Sequence, residues 1–185
     1  MAYDPLTASV ALIERGLPEP PPRLSRRRRF AALAVDVDGD VAATVFTRRS
    51  VGCCERMTWV LARDGGTWRV LGGGGGSGGR EDGLAPRPAA DELGGHLLSP
   101  SSGGVSAGRS ALPWGRPRGI SYAELQVSRD VELVEVAGRA LTVPGHGVLV
   151  AVWSGRRPPT ATALGRDGRR VAELLLPGGR SGPTG

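Results

Sequence analysis

Between Gly119 and Leu176 the chain is a succession of short β-branched runs cut by turn signals. No window there holds a 3.6-residue apolar period long enough for a helix. The runs are Ile120–Val127, Val131–Val136, Ala140–Val143, Val148–Trp153, Thr160–Leu164 and Val171–Leu176. Ala137-Gly138-Arg139, Pro144-Gly145-His146-Gly147 and Arg166-Asp167-Gly168-Arg169 separate three pairs of them. Glycine supplies the positive φ such turns need, and Asp-Gly matches the twist of flanking strands. Short strands at this spacing favour an antiparallel sandwich or barrel over a βαβ fold. Val148–Trp153 is apolar at every position, as expected of a central strand covered on both faces. Thr160–Leu164 alternates as a half-exposed strand does, and Pro158-Pro159 before it predicts a position near an edge.

The pattern VELVEVAGRALTV … HGVLVAVW … PTATALGRDGRRV resembles the C-terminal portion of uncharacterised actinobacterial proteins of unknown function that carry an immunoglobulin-like β-sandwich. The resemblance covers about the last third of the chain and rests on turn motifs. It implies the fold and no activity.

Toward the N-terminus, Asp4-Pro5 predicts the start of a short helix. Asp4 caps the free N–H groups, and Pro5 at the first helical position loses no hydrogen bond. Leu6, Val10, Ile13 and Leu17 fall on one face, with Gly16 and the prolines from Pro18 onward as the stop. Phe30–Val37 and Val41–Thr47 then read as a hairpin. A three-residue loop Asp38-Gly39-Asp40 aligns Ala31, Leu33 and Val35 with Thr47, Val45 and Ala43. In that register Arg29 lies opposite Arg49 and Phe30 opposite Arg48. A second hairpin, Met57–Arg63 with Thr67–Leu71, turns at Gly65-Gly66 and puts Trp59, Leu61, Trp68 and Val70 on one face.

From Gly72 to Gly119 glycine, serine and proline dominate, and the stretch reads as a long low-complexity loop. Pro177–Gly185 reads as a disordered tail. The expected division is therefore a helix and proline-rich arm (1–24), N-terminal β-hairpins (25–71), the loop (72–118), a C-terminal sandwich half (119–176) and the tail (177–185). A module of that size is marginal alone, so one shared core is expected.

All 24 basic residues are arginine, with no lysine or asparagine, and 30 glycines stand beside 15 prolines. This is the bias of a GC-rich genome, so the net charge of +6 is a weak pointer to an anionic partner. There is no apolar span of membrane length and no signal-peptide pattern, and the two cysteines, Cys53 and Cys54, are adjacent. Adjacent cysteines rarely bond each other and form no zinc spacing, so a cytoplasmic protein without cofactors is expected.

Few motifs carry chemistry. Gly73-x-Gly75-x-x-Gly78 matches a dinucleotide fingerprint only because nearly every position is glycine, and no helix follows to hold a phosphate. Gly104-Val105-Ser106-Ala107-Gly108 matches a nucleophile-elbow pattern, with Asp130 and His146 in hydrolase order, but no strand-to-helix elbow is visible. His96 and His146 lack ligand-spaced partners, so no metal is expected. The cysteines could be activated by Arg48, Arg49 and Arg56, or be small buried hydrophobes. Sequence and register together assemble one cluster, Arg26, Arg27, Arg28, Arg29, Arg48 and Arg49. It suits an acidic protein surface or a second copy of the chain, or else a nucleic-acid backbone or other anion. The expectation is an all-β antiparallel sandwich of immunoglobulin-like type with one N-terminal helix. Its expected role is a non-enzymatic binding or assembly module, with nucleic-acid or anionic-ligand binding and a small serine hydrolase using Ser106 as alternatives.

Overall fold

A computed structural model describes residues 3–20, 22–77, 83–106 and 119–178. Among the described residues the chain is mostly β, with three antiparallel sheets and two short helices. Helix α1 (Pro5–Arg15) precedes a four-stranded meander of β1 (Phe30–Asp38), β2 (Val41–Arg49), β3 (Cys54–Asp64) and β4 (Thr67–Ser77), which is sheet A. After α2 (Ala90–Leu93) come β5 (Leu97–Ser106), β6 (Gly119–Val127), β7 (Val131–Val136), β8 (Arg139–Thr142), β9 (Val148–Ser154), β10 (Thr160–Gly165) and β11 (Arg170–Leu175). Sheet B has the order β5-β6-β9 and sheet C the order β11-β10-β7-β8.

Sheet B is the middle layer. Ile120 and Tyr122 of β6, with Val148, Val150 and Val152 of β9, pack on Leu33, Ala34, Val41, Ala43, Val45 and Val60 of sheet A. The alternate residues Ala123, Leu125 and Val127, with Leu149, Ala151 and Trp153, pack on Val134, Val136, Ala161 and Ala163 of sheet C. The all-apolar run in β9 thus feeds two cores, one through each face, where the sequence had suggested one. Burying each such aliphatic side chain contributes about 1.5–3 kcal/mol.

The six C-terminal strands fall where their composition places them, within a residue or two at each end. Strand β10 lies between the outermost strand β11 and β7, one place in from the edge of sheet C, in keeping with the expected position near an edge. Pro158 and Pro159 stop before the ladder begins and so remove no bond from it.

The first hairpin is a partial correction. Phe30 pairs with Arg48 and Ala31 with Thr47, as expected, but Asp38 pairs with Val41 across the two-residue turn Gly39-Asp40. The difference is absorbed by a bulge between Ala32 and Ala34. Leu33 and Ala34 then both reach the core opposite Val45, so the short turn and the buried face coexist. In the second hairpin Gly65 and Gly66 have φ of 56° and 84°, the geometry of a two-residue twist-matched turn. A further bulge pairs Val60 with Gly72 and Leu61 with Val70, leaving Leu71 extra. Leu61 opposite Val70 and Arg63 opposite Trp68 keep the expected register up to the bulge, beyond which Trp59 faces Gly73 where an unbroken ladder would give Gly72. Trp68 lies 5.3 Å from the Arg63 guanidinium.

The loop expected from 72 to 118 is strand over about half of its described residues. Gly72–Ser77 complete β4 against β3, and Leu97–Ser106 form β5. Glycine is tolerated because aromatic rings lie where side chains would stand. A Cβ on Gly73 would come within 2.5 Å of the Trp59 ring, and one on Gly103 within 2.7 Å of the Tyr122 hydroxyl. Residues 78–82 and 107–118 lie outside the described residues, as do 179–185 of the expected tail.

Helix α1 has the expected caps. Asp4 accepts from the Thr7 amide at 3.0 Å, and Gly16 closes the helix at φ 75°. Its inward face is centred on Ser9 and Leu12, a rotation from the expected one that leaves Leu6 exposed. Ser9 can point inward because its hydroxyl meets that of Thr44 on β2 at 2.7 Å. No helix among the described residues is long and apolar enough to cross a membrane.

Candidate binding surface

Strands β1, β2, β3 and β4 bring one end of sheet A into a single row. Phe30 pairs with Arg48, Arg48 with Glu55, and Glu55 with Ser77. Around this row the six arginines of the sequence cluster divide by role.

Two are anchored. Arg48 lies 5.7 Å over the Phe30 ring and 3.8 Å from the Glu55 carboxylate, and is half-buried there. The Phe30 ring is also stacked on Tyr3, at 4.0 Å with an interplanar angle of 4°. Tyr3 also meets the edge of Phe46 and accepts a hydrogen bond from Trp59 Nε1 at 3.2 Å. Burial, with Asp4 adding to it, pushes the Tyr3 phenol up to about 12 against that hydrogen bond. Arg29 folds back so that its Nε and Nη2 donate to the Arg49 carbonyl at 3.3 and 3.2 Å. The like charges expected to face each other across the ladder are thus relieved, since one guanidinium binds backbone.

The other four, Arg26, Arg27, Arg28 and Arg49, are exposed, and none is within salt-bridge distance of an acid among the described residues. Arg26 and Arg27 sit at the tip of a tight loop. It is closed by Ser25, whose N–H donates to the Arg28 carbonyl at 2.8 Å and whose hydroxyl accepts from the Arg28 amide at 3.0 Å. A serine turn of this kind presents consecutive side chains outward and fixes the backbone beneath them.

A second polar group, which the sequence did not reveal, lies between sheets A and B. Glu124 of β6 is 5% exposed. It accepts from the Thr58 hydroxyl and from Arg56 Nη1, the latter at 3.4 Å. Burial, then the neighbouring Glu124 charge, raises the Tyr122 phenol. Glu124, Arg56 and Tyr122, with Gly74–Gly76, Pro100 and Ser101, line a cleft of about 520 Å³ where β4 and β5, each outermost in its sheet, approach. At the opposite side of the two sheets β1 approaches β9. There buried Asp36 accepts from the Val152 amide and from Arg139 Nη2, both at 2.8 Å, while Arg139 also donates to the Val152 carbonyl. Burial raises the Asp36 carboxyl, opposed by the Val152 hydrogen bond and by Arg139. The edge of β9 is in this way closed by an ion pair.

No family model, curated protein or solved structure matches this chain. What it does is therefore read from its own residues.

The hydrolase residues are not brought together. Ser106 ends β5 opposite Gly119, while Asp130 and His146 lie beyond the far end of β6, roughly 30 Å away at ~3.4 Å per residue. Ser106 terminates a strand with no elbow before it. Asp130 approaches His96 at 4.0 Å instead. His146 is buried, and its Nδ1 accepts from the Val148 amide at 3.1 Å. Gly73 and Gly75 of the fingerprint are strand residues, and Gly78 lies outside the described residues. Cys53 is half-buried and Cys54 is buried. Among the described residues no three His, Cys, Asp or Glu side chains gather as metal ligands would.

Proposed function

We propose that the chain is a non-enzymatic protein-binding module that docks an acidic partner surface through Arg26, Arg27, Arg28 and Arg49. The observation that carries this reading is the arrangement of four solvent-facing guanidinium groups at one end of sheet A, with Glu55 already engaged by Arg48. A protein partner is favoured over nucleic acid because Phe30, the aromatic ring beside the cluster, is already stacked on Tyr3 and has the Arg48 guanidinium 5.7 Å from its centroid. The ring is thus already engaged within the chain, whereas single-strand binding uses aromatic faces open to a base.

The same proposal takes β5–β11 as an immunoglobulin-like sandwich, in keeping with the resemblance of its last strands to actinobacterial proteins. Its support is the strand order. The first, second and fifth of these seven strands share one sheet, and the seventh, sixth, third and fourth share the other. In this reading sheet A covers the outer face of the three-stranded sheet and holds the arginine end as a rigid platform, and the working compartment is the cytoplasm.

The test compares the wild type with the Arg26→Ser, Arg27→Ser, Arg28→Ser, Arg49→Ser variant in pull-downs with and without nuclease, at about 50 and 200 mM salt. A nuclease-resistant protein partner, retained at low salt by the wild type alone, is the expected result. Identical partners on both versions would remove the cluster from the argument. Loss of binding on nuclease treatment would make nucleic acid the target.

A further inference from the structure

The edge beside the arginine end indicates what shape of partner fits it. Strand β4 is outermost in sheet A, and among the described residues the outward backbone groups of Gly73–Gly76 have no backbone partner. Unpaired N–H and C=O groups along a strand edge are a template for another extended chain. Edges are commonly blocked by charged side chains, proline or a covering loop, whereas these four positions carry no side chain at all.

The same glycines are flanked by grooves on both faces. On the outer face Met57, Trp59 and Glu55 line a groove of about 450 Å³. On the inner face lies the cleft of about 520 Å³ floored by Tyr122 and Glu124. The seam between β4 and β5 is tight at one point, where a Cβ on Gly72 would touch Val105 at 3.1 Å. It opens toward Gly76 because β5 is irregular between Leu98 and Ser101. A free edge with a groove on either face has what strand addition needs: main-chain pairing for affinity, and sites for alternate side chains for selectivity.

We propose that the β4 edge binds an extended segment of a partner protein as an added strand, its side chains entering the two grooves in alternation. Outward residues of that segment are apolar, to cover Trp59 and Met57. Inward residues carry hydroxyl or amide groups, to meet Glu124, Tyr122 and Ser101. An antiparallel segment enters past Ser77, which shares its row with Glu55 and Arg48. Its N-terminal flank is therefore acidic, and this last element rests on the arginine reading above, while the strand addition does not.

The probe is a phage-displayed library of random peptides about twelve residues long, enough to span β4 at ~3.3 Å per residue. It is selected on the immobilised full chain and counter-selected on Gly76→Leu. Gly76 pairs with Arg56 and has nothing within 4 Å of an added Cβ, so a leucine there starts from open space and extends into the inner groove. Enriched peptides should alternate apolar with hydroxyl or amide residues behind an acidic flank. A synthetic copy should bind Gly76→Leu about tenfold or more weakly, and N-methylation of its alternate amides should weaken binding to the wild type by a similar factor. The N-methylation arm needs no variant to fold. No enrichment, peptides without alternation, or an N-methylated copy binding within about twofold of the parent would overturn strand addition. If N-methylation matters but deleting the acidic flank does not, the added strand stands and the arginine reading falls.

Discussion

Acid should unfold this protein partly through one histidine. His146 is 5% exposed in the loop between β8 and β9, and its unprotonated Nδ1 accepts the Val148 amide at 3.1 Å. Protonating Nδ1 turns the acceptor into a donor, breaks that bond and adds a second positive charge near Arg56. Burial first, and Arg56 second, push its pKa down to about 4. In the unfolded chain the imidazole titrates near ~6.5. The neutral form is thus favoured by folding. Its contribution is complete above about pH 6.5, declines as pH falls through the interval, and is gone below about pH 4. Between pH 7 and pH 4.5 the loss is about 2 kcal/mol. Urea unfolding, followed by the fluorescence of buried Trp153, measures it at several pH values in that range. The comparison protein is His146→Asn, whose side-chain carbonyl keeps an acceptor for Val148 and does not titrate. Other titrating groups are common to both proteins, so the wild-type advantage should shrink by about 2 kcal/mol as pH falls. Stability curves that stay parallel within about 0.5 kcal/mol would refute the assignment.

Two further perturbations test the seam and the glycine ribbon. Asp36→Ala leaves the Val152 amide and Arg139 without their buried acceptor and should cost about 3–5 kcal/mol in urea unfolding, while Asp36→Asn should cost clearly less because an acceptor remains. Gly73→Ala should destabilise by about 1–3 kcal/mol, since its Cβ meets the Trp59 ring at 2.5 Å and the Thr58 carbonyl at 2.6 Å. Gly76→Ala, in open space, should change thermal stability by no more than about 0.5 kcal/mol.

The contrast between those glycines also explains which elements were legible in the chain. Strands β6 to β11 announce themselves because their residues alternate or run apolar between Gly and Pro turns. Both ends of α1 are written in Asp4, Pro5 and Gly16. Strand β4 past Leu71 is invisible to such reading. Glycine has no side chain to alternate, and the strand is specified by the rings of Trp59 and Tyr122 lying against it. The bulge at Leu33 is equally silent, because two sequence-compatible registers differ only in where one residue is absorbed. For the candidate site, the arginine run and the Arg29–Arg49 proximity follow from local sequence. The division into anchored and exposed guanidinium groups does not, because Tyr3 and Glu55 decide it. Nor does the Glu124 cleft, whose partners Arg56 and Thr58 lie 68 and 66 residues away along the chain.

The middle sheet works as a party wall. Val148, Val150 and Val152 belong to one core, and Leu149, Ala151 and Trp153, on the same strand, to the other. Neither core can melt without exposing one face of β9 to water, which removes half of what keeps that strand extended for its neighbour. The two cores are therefore joined in fate as well as in space. A disturbance at the arginine end of sheet A has only one layer of backbone to cross before sheet C registers it.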